Sequence, residues 1–141
     1  MSYGESLNSL LINLHSVFKN NIVLDNVSFQ KIVALSIIPI DGIEMSPLSL
    51  KLGIDNSTTT RLIIGMEKIG WVKRVSSTVD RRVTQVLLTE KGIDLQIDLE
   101  KQIDAIGDEV EGCIDPLDRQ KLIENLSNLN WILLKLLIRK N

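Results

Sequence analysis

The chain has 141 residues, of which 44% are apolar, 24% charged and 4% aromatic. That is enough to bury a core of Leu, Ile and Val without staples, and it excludes a disordered or collagenous chain. One cysteine (Cys113) and one histidine (His15) exclude an internal disulfide framework and a conventional zinc site, and suit a reducing cytosol. No metal or cofactor is expected. No segment reads as a signal peptide, and no apolar run is long enough for a membrane span. The net charge of −2 is unevenly spread: Lys51 to Lys91 carries eight Lys and Arg against four acids, the rest eight against fourteen. A basic centre between acidic flanks suits a partner with phosphates.

In chain order, Leu7, Leu10, Leu11, Leu14 and Val17 recur as one helical face and predict a first helix over residues 5–19. A polar break through Asn20, Asn21, Asp25 and Asn26 follows. Ser28 reads as the cap of a second helix carrying Phe29, Ile32, Val33 and Ile37, which must end near Pro39. After a turn at Asp41-Gly42, Ser46-Pro47 reads as cap and first residue of a short helix with Leu48 and Leu52 inward. Gly53 should stop it. A further helix is expected from about Ser57 to Ile69, with Thr59, Leu62, Met66 and Ile69 along its inner face. Trp71 to Val75 and Val83 to Leu88 then read as strands around a polar tip, making a β-hairpin. Thr89-Glu90 opens a long helix through Leu99, Ile103, Ile106 and Val110, interrupted at Gly112. Asp115-Pro116 starts a last helix, with Asp118 near its positive end.

That last helix is apolar in every direction from Trp131 to Ile138 except at Lys135. Such a helix must be covered on more than one side. A second copy of the chain is the favoured cover, and a helix threaded through its own core is the alternative.

The stretch 46–92 carries the functional expectation. A helix held across a tight turn by a shorter one can lie in a major groove, its exposed side meeting base edges. At roughly 100° per residue, that side holds Ser57, Thr60, Arg61, Ile64 and Lys68. Hydroxyls can bond phosphates or bases, Arg61 can bond guanine O6 and N7 together, and Ile64 can meet a thymine methyl. Lys68, at the helix end, suits phosphate. The hairpin adds Arg74 on the way out and Asp80, Arg81 and Arg82 on the way back, a cationic finger fit for a minor groove. Asp80 reads as a brace that orients Arg82.

Asp80-Arg81-Arg82, the strand Val83 to Leu88, and Thr89-Glu90-Lys91-Gly92 resemble the wing signature of the multiple-antibiotic-resistance regulator (MarR) family. Ser57-Thr58-Thr59-Thr60-Arg61-Leu62 and Met66-Glu67-Lys68-Ile69-Gly70 are similar to that family's recognition helix and its exit. The specific match lies between Ser57 and Gly92, and the helix order is similar over almost the whole chain. The resemblance implies a mainly α fold with a small β-hairpin wing: a winged helix-turn-helix with N- and C-terminal dimerisation helices. Residues 1–141 then form one chain, with 28–89 as the DNA-binding lobe and 1–20 and 113–141 as dimerisation helices. The implied function is a cytoplasmic transcription regulator, a repressor and not an enzyme, that binds double-stranded DNA at a pseudo-palindromic site as a homodimer. DNA contact carries over to Ser57, Thr58, Thr60 and Arg61, and wing roles to Asp80 and Arg82. The alternative is a winged helix that binds protein and does not read DNA.

The family pattern also allows release by a small-molecule effector, with His15, Ser36 and Trp71 as candidate lining. Each has a plainer role: His15 bordering the dimer contact, Trp71 within the lobe core. Cys113 has Glu109, Glu111 and Asp115 for neighbours, which favour the thiol over the reactive thiolate. Three positions depart from the pattern. Pro47 and Ser49 stand where Glu and Ala are commoner, and Gly65 lies inside the recognition helix, where glycine costs about 1 kcal/mol against alanine.

Overall fold

The computed structural model describes residues 1–24 and 27–139. Among these residues, six helices and three short strands follow one another: α1 Tyr3–Asn21, α2 Phe29–Ile37, β1 Ile43–Glu44, α3 Met45–Leu52, α4 Asn56–Lys68, β2 Val72–Ser76, β3 Thr84–Leu88, α5 Glu90–Gly112 and α6 Arg119–Arg139. They divide into two compact units, Met1–Ile103 and Asp104–Asn141.

In the first unit, α1 starts earlier than its apolar face suggests. Ser2 and Glu5 form a reciprocal capping box, the Glu5 N–H donating to Ser2 Oγ at 3.1 Å and the Ser2 N–H to Glu5 Oε2 at 2.8 Å. This satisfies N–H groups that have no partner within the helix. The helix also runs through Asn20 and Asn21, which the sequence places in a break; Asp25 and Asn26 lie outside the described residues. Beyond α1 the chain is extended, with Ile22 and Leu24 buried. Gln102 of α5 grips Val23 between them, accepting its N–H at 2.8 Å and donating to its carbonyl at 3.0 Å.

Helix α2 is capped by Ser28, as its sequence predicts, and closes at Ile38 ahead of Pro39. The Gln96 side-chain amide donates to the carbonyls of Leu35 and Ile38, both at 2.7 Å. Two glutamines of α5 thus serve backbone groups that secondary structure leaves open.

The expected hairpin is a three-stranded antiparallel sheet in the order β1-β3-β2. Ile43 pairs with Val86 and Glu44 with Gln85, while β2 and β3 pair from Val72 with Leu88 to Ser76 with Thr84. A strand of two residues is too short for alternation to betray it. Its presence also corrects the start of α3. Extended Glu44 occupies the cap position without a side-chain bond, so Ser46 lies inside the helix and caps nothing. Pro47 still falls in the first turn, where a missing N–H leaves no helical bond unmade. Gly53 ends α3 with φ of 69°, a conformation that favours glycine.

The core of this lobe is built from Leu35, Ile38, Leu48, Ile63, Met66, Trp71, Val72 and Val86, each at most 2% exposed. Trp71 is the largest of them, and Leu99 of α5 is likewise sealed. Ile63 belongs to this set although the sequence reading passed over it, whereas Ile69 is only half-buried. The wide inner face of α4 reflects cover from more than one neighbour.

In the second unit, α5 ends at Gly112 and a turn precedes α6. Asp115 Oδ1 accepts the Leu117 N–H at 3.0 Å, and its carbonyl accepts the Asp118 N–H at 2.8 Å. Asp115-Pro116 therefore opens this turn, and the helix itself begins at Arg119, behind Asp118. Lys135 Nζ lies 5.1 Å above the Trp131 ring, a cation–π contact one helical turn along. No residue of α6 or of α1 is buried in the single chain.

Candidate nucleic-acid interface

Helix α4 is anchored at both ends and on its inner side. At its start, Asp55 takes the cap: its carboxylate accepts from the Thr58 N–H at 2.7 Å and from the Thr58 hydroxyl at 3.0 Å. The backbone N–H of Thr58, then its hydroxyl, hold the Asp55 carboxyl below the usual carboxylate range. Sequence reasoning began this helix at Ser57 and treated Asp55 as turn, although aspartate is among the best caps. On the inner side, fully buried Thr59 donates to the Asp55 carbonyl at 2.9 Å and accepts from Ser49 Oγ at 2.8 Å. The unusual serine at position 49 thereby gives the buried threonine a partner, and ties α3 to α4 by a polar bond within an apolar contact.

The exit of α4 explains the Thr89-Glu90-Lys91-Gly92 sequence. The Thr89 hydroxyl donates to the Gly70 carbonyl, and its oxygen accepts the Gly92 N–H at 3.0 Å, capping α5. Lys91 Nζ donates to the Ile69 carbonyl at 3.2 Å, a cation at a helix C-terminus. A Cβ on Gly92 would lie 2.0 Å from the Trp71 carbonyl oxygen, so glycine alone lets α5 approach Trp71 this closely. Thr89, Lys91 and Gly92 lock the end of α4 to the root of the wing. Their role is positional.

What α4 leaves outward is polar. Ser57, Arg61 and Lys68 are exposed, and Thr58, Thr60 and Ile64 are half-buried. Thr60 donates to the Asn56 carbonyl at 2.8 Å, and Arg61 Nη2 lies 3.4 Å from Thr58 Oγ1. Arg74, expected as part of the cationic finger, is paired. Its guanidinium donates to Glu67 Oε1 and its backbone N–H to Glu67 Oε2, both at 3.2 Å. The guanidinium contact, then the backbone one, lowers the Glu67 carboxyl from its ordinary value. Arg74 thus joins wing to helix with its charge already answered.

At the wing tip, the Ser77 hydroxyl oxygen accepts from the Val79 N–H at 3.2 Å and the Asp80 N–H at 3.5 Å, a turn built by a side chain. Asp80 takes the Arg82 backbone N–H at 3.0 Å on Oδ1, Arg82 Nε at 3.2 Å on the same oxygen, and Nη2 at 3.2 Å on Oδ2. This side-on pairing lowers the Asp80 carboxyl, the guanidinium bond contributing most. Arg82 is nevertheless 91% exposed, and Arg81 beside it is also exposed. The wing presents guanidinium groups outward, one of them oriented.

The MarR family profile matches residues 37–84, the span from the end of α2 to the start of β3. A regulator named SarZ, from Staphylococcus haemolyticus (strain JCSC1435), is 32% identical over 105 residues, 74% of this chain and 66% of its own. The chain belongs to the MarR family. The repressor MprA of Escherichia coli (strain K12) is 35% identical over 69 residues, 49% of this chain but only 39% of that protein. The chain therefore matches less than two thirds of the length of these relatives. Among solved MarR-type folds, a regulator from Methanosarcina mazei Go1 is 26% identical with a TM-score of 0.78, covering 94% of this chain and 96% of its own. FabT of Streptococcus pneumoniae, solved in complex with DNA, shares the fold at 23% identity, with a TM-score of 0.76 and coverage of 94% and 96%. The winged-helix architecture is that of the family.

The three candidate effector-lining residues do not come together. Trp71 is core, and the Ser36 hydroxyl donates to the Val33 carbonyl at 2.7 Å. His15 meets the Phe29 ring edge-on at 4.9 Å. A cleft of about 220 Å³ instead has Lys19, Ile22, Val23, Leu24, Val27, Phe29 and Ile32 as walls. Cys113 is exposed. Among the described residues, no group of three or more His, Cys, Asp or Glu is placed to hold a metal ion, and no helix is long and apolar enough to cross a membrane.

Proposed function

We propose that this MarR-family chain is a sequence-specific DNA-binding transcription regulator acting as a homodimer, and as a repressor. The observation that carries the reading is the wing: Arg82 is held side-on by Asp80 yet 91% exposed, a guanidinium oriented toward solvent with no other use in the fold. In the same unit, α4 offers Ser57, Arg61 and Lys68 outward. In this reading the exposed side of α4 enters a major groove, with Arg61 bonding a guanine edge and Ser57, Thr58 and Thr60 meeting bases or phosphates. Ile64 reaches a thymine methyl, and Lys68 with Arg81 contacts backbone. Arg82 enters the adjacent minor groove, where the negative potential is greatest. Arg74 is a positioning residue. The DNA complex of FabT supports this docking by analogy of fold. A second copy supplies the symmetric half-site, its contact formed by the apolar surfaces of α1 and α6. Release by a small amphipathic effector, as the family pattern allows, belongs to the same reading.

The test is selection of bound fragments from random-sequence DNA, followed by titration of the recovered duplex. Two half-sites about one helical turn apart are expected, with affinity that falls steeply as salt rises, because phosphate neutralisation releases counterions. Arg82→Ala should lower affinity at least severalfold with thermal stability unchanged. Equal binding by that variant refutes the wing assignment. A chain that enriches no fragment, and captures a protein through the α4 face, is the protein-binding alternative.

A further inference from the structure

The outward ridge of α4 has unlike flanks. On one, Glu67 holds the Arg74 guanidinium at 3.2 Å, so the cation on the wing side is neutralised. On the other lies Gly65, one helical turn beyond Arg61. There the side chain of Lys31 crosses from α2. A Cβ built on Gly65 would stand 3.1 Å from Lys31 Cε and 3.5 Å from Lys31 Nζ, and it would meet nothing else. The space a side chain would occupy at position 65 is therefore used by the Lys31 head alone. Lys31 is half-buried, and among the described residues no ion pair or side-chain hydrogen bond engages its ammonium. A glycine that weakens a helix and serves no packing contact except to admit an unpaired cation calls for an account.

We propose that Lys31 is a phosphate-binding residue of the DNA interface, set on the side of the recognition helix away from the wing, and that Gly65 serves to seat it there. This rests on the DNA-binding reading above. A helix docked in a major groove runs between two phosphate backbones, and a cation meeting one of them fixes position without reading sequence. Lys31 supplies that charge from α2, an element outside the helix-turn-helix. Held against the α4 backbone, it has less freedom to lose on binding than a lysine on an open surface.

The experiment titrates two duplexes over a range of salt: one recovered by the unmodified chain from random-sequence DNA, and one of unrelated sequence. Lys31→Gln should weaken both by a similar factor and reduce the slope of log affinity against log salt by about one. Lys31→Arg should restore the slope. Gly65→Ala, which asks the Lys31 side chain to give by only a few tenths of an ångström, should raise the melting temperature; Gly65→Leu displaces the Lys31 head, so it should lower affinity. In the Lys31→Gln background it should cost no further affinity, a non-additivity that a purely structural lysine does not produce. An unchanged slope in Lys31→Gln, or independent losses from the two substitutions, overturns the inference and leaves the DNA-binding reading standing. A parent chain that recovers no duplex from random-sequence DNA overturns both.

Discussion

Asp80, Glu67 and Asp55 show how single carboxylates prepare this surface. Each accepts both backbone and side-chain donors: Asp80 from Arg82, Glu67 from Arg74, Asp55 from Thr58. Each is held below its ordinary range by those bonds. Exposed pairs of this kind add little to stability. Their effect is to restrict where a guanidinium or a helix start can go. The sign of the pH dependence follows from the lowered values: the braces are fully formed at neutral pH and are lost only as pH falls through them, below the usual carboxylate range. A carbon-detected NMR titration should place the Asp80 midpoint below that of an ordinary aspartate, and Arg82→Ala should return it upward. Identical midpoints in the two proteins would show that the pair does not persist in solution. The Asp80 brace was legible beforehand, because an acid two residues from an arginine in a polar tip has few other uses. Arg74 was not, because its partner Glu67 lies across a turn whose geometry only the folded chain defines.

At the scale of elements, the lobe is the helix α4 clamped to a sheet. Thr89 and Lys91 bond the last carbonyls around α4, and Gly92 gives the Trp71 carbonyl room beside α5. The contact is backbone against backbone, so it has no flexible side chain to yield. Gly92→Ala should destabilise the fold by about 1–3 kcal/mol, the usual range for a forced fit, measured by urea denaturation. A variant as stable as its parent would mean that α5 can withdraw from Trp71 without loss. Helix existence and order were readable from period and caps, whereas several starts were not. Met45 begins α3 because β1 delivers an extended Glu44, and Arg119 begins α6 because Asp115 first closes a turn. A local cap motif competes with the direction from which the chain arrives.

For the whole molecule, the unmet demand is apolar surface. In the single chain Leu10, Leu11, Leu14 and Val17 of α1 remain exposed, as do Trp131, Ile132, Leu133, Leu134 and Leu136 of α6. Rows of exposed apolar side chains on a helix, as on each of these two, mark an association site. The unmodified chain should sediment as a dimer, and Leu136→Asp should shift it toward monomer and weaken DNA binding beyond the loss caused by Arg82→Ala, since each half-site is then held separately. Sedimentation as a monomer at micromolar concentration, with full DNA affinity, would refute the paired arrangement.

Periodicity, caps and the Ser57 to Gly92 motif by themselves determined the helix order, the winged-helix class and which side of α4 faces outward, because each depends on residues close together in the chain. Tertiary structure decided the rest. It added β1, a strand too short to have a pattern and defined only by its partner β3. It paired Arg74 with Glu67, gave Ser49 to Thr59, and laid Lys31 across Gly65. Those pairings join residues from different elements, and the distance between two side chains on separate elements is not encoded in the spacing of either one.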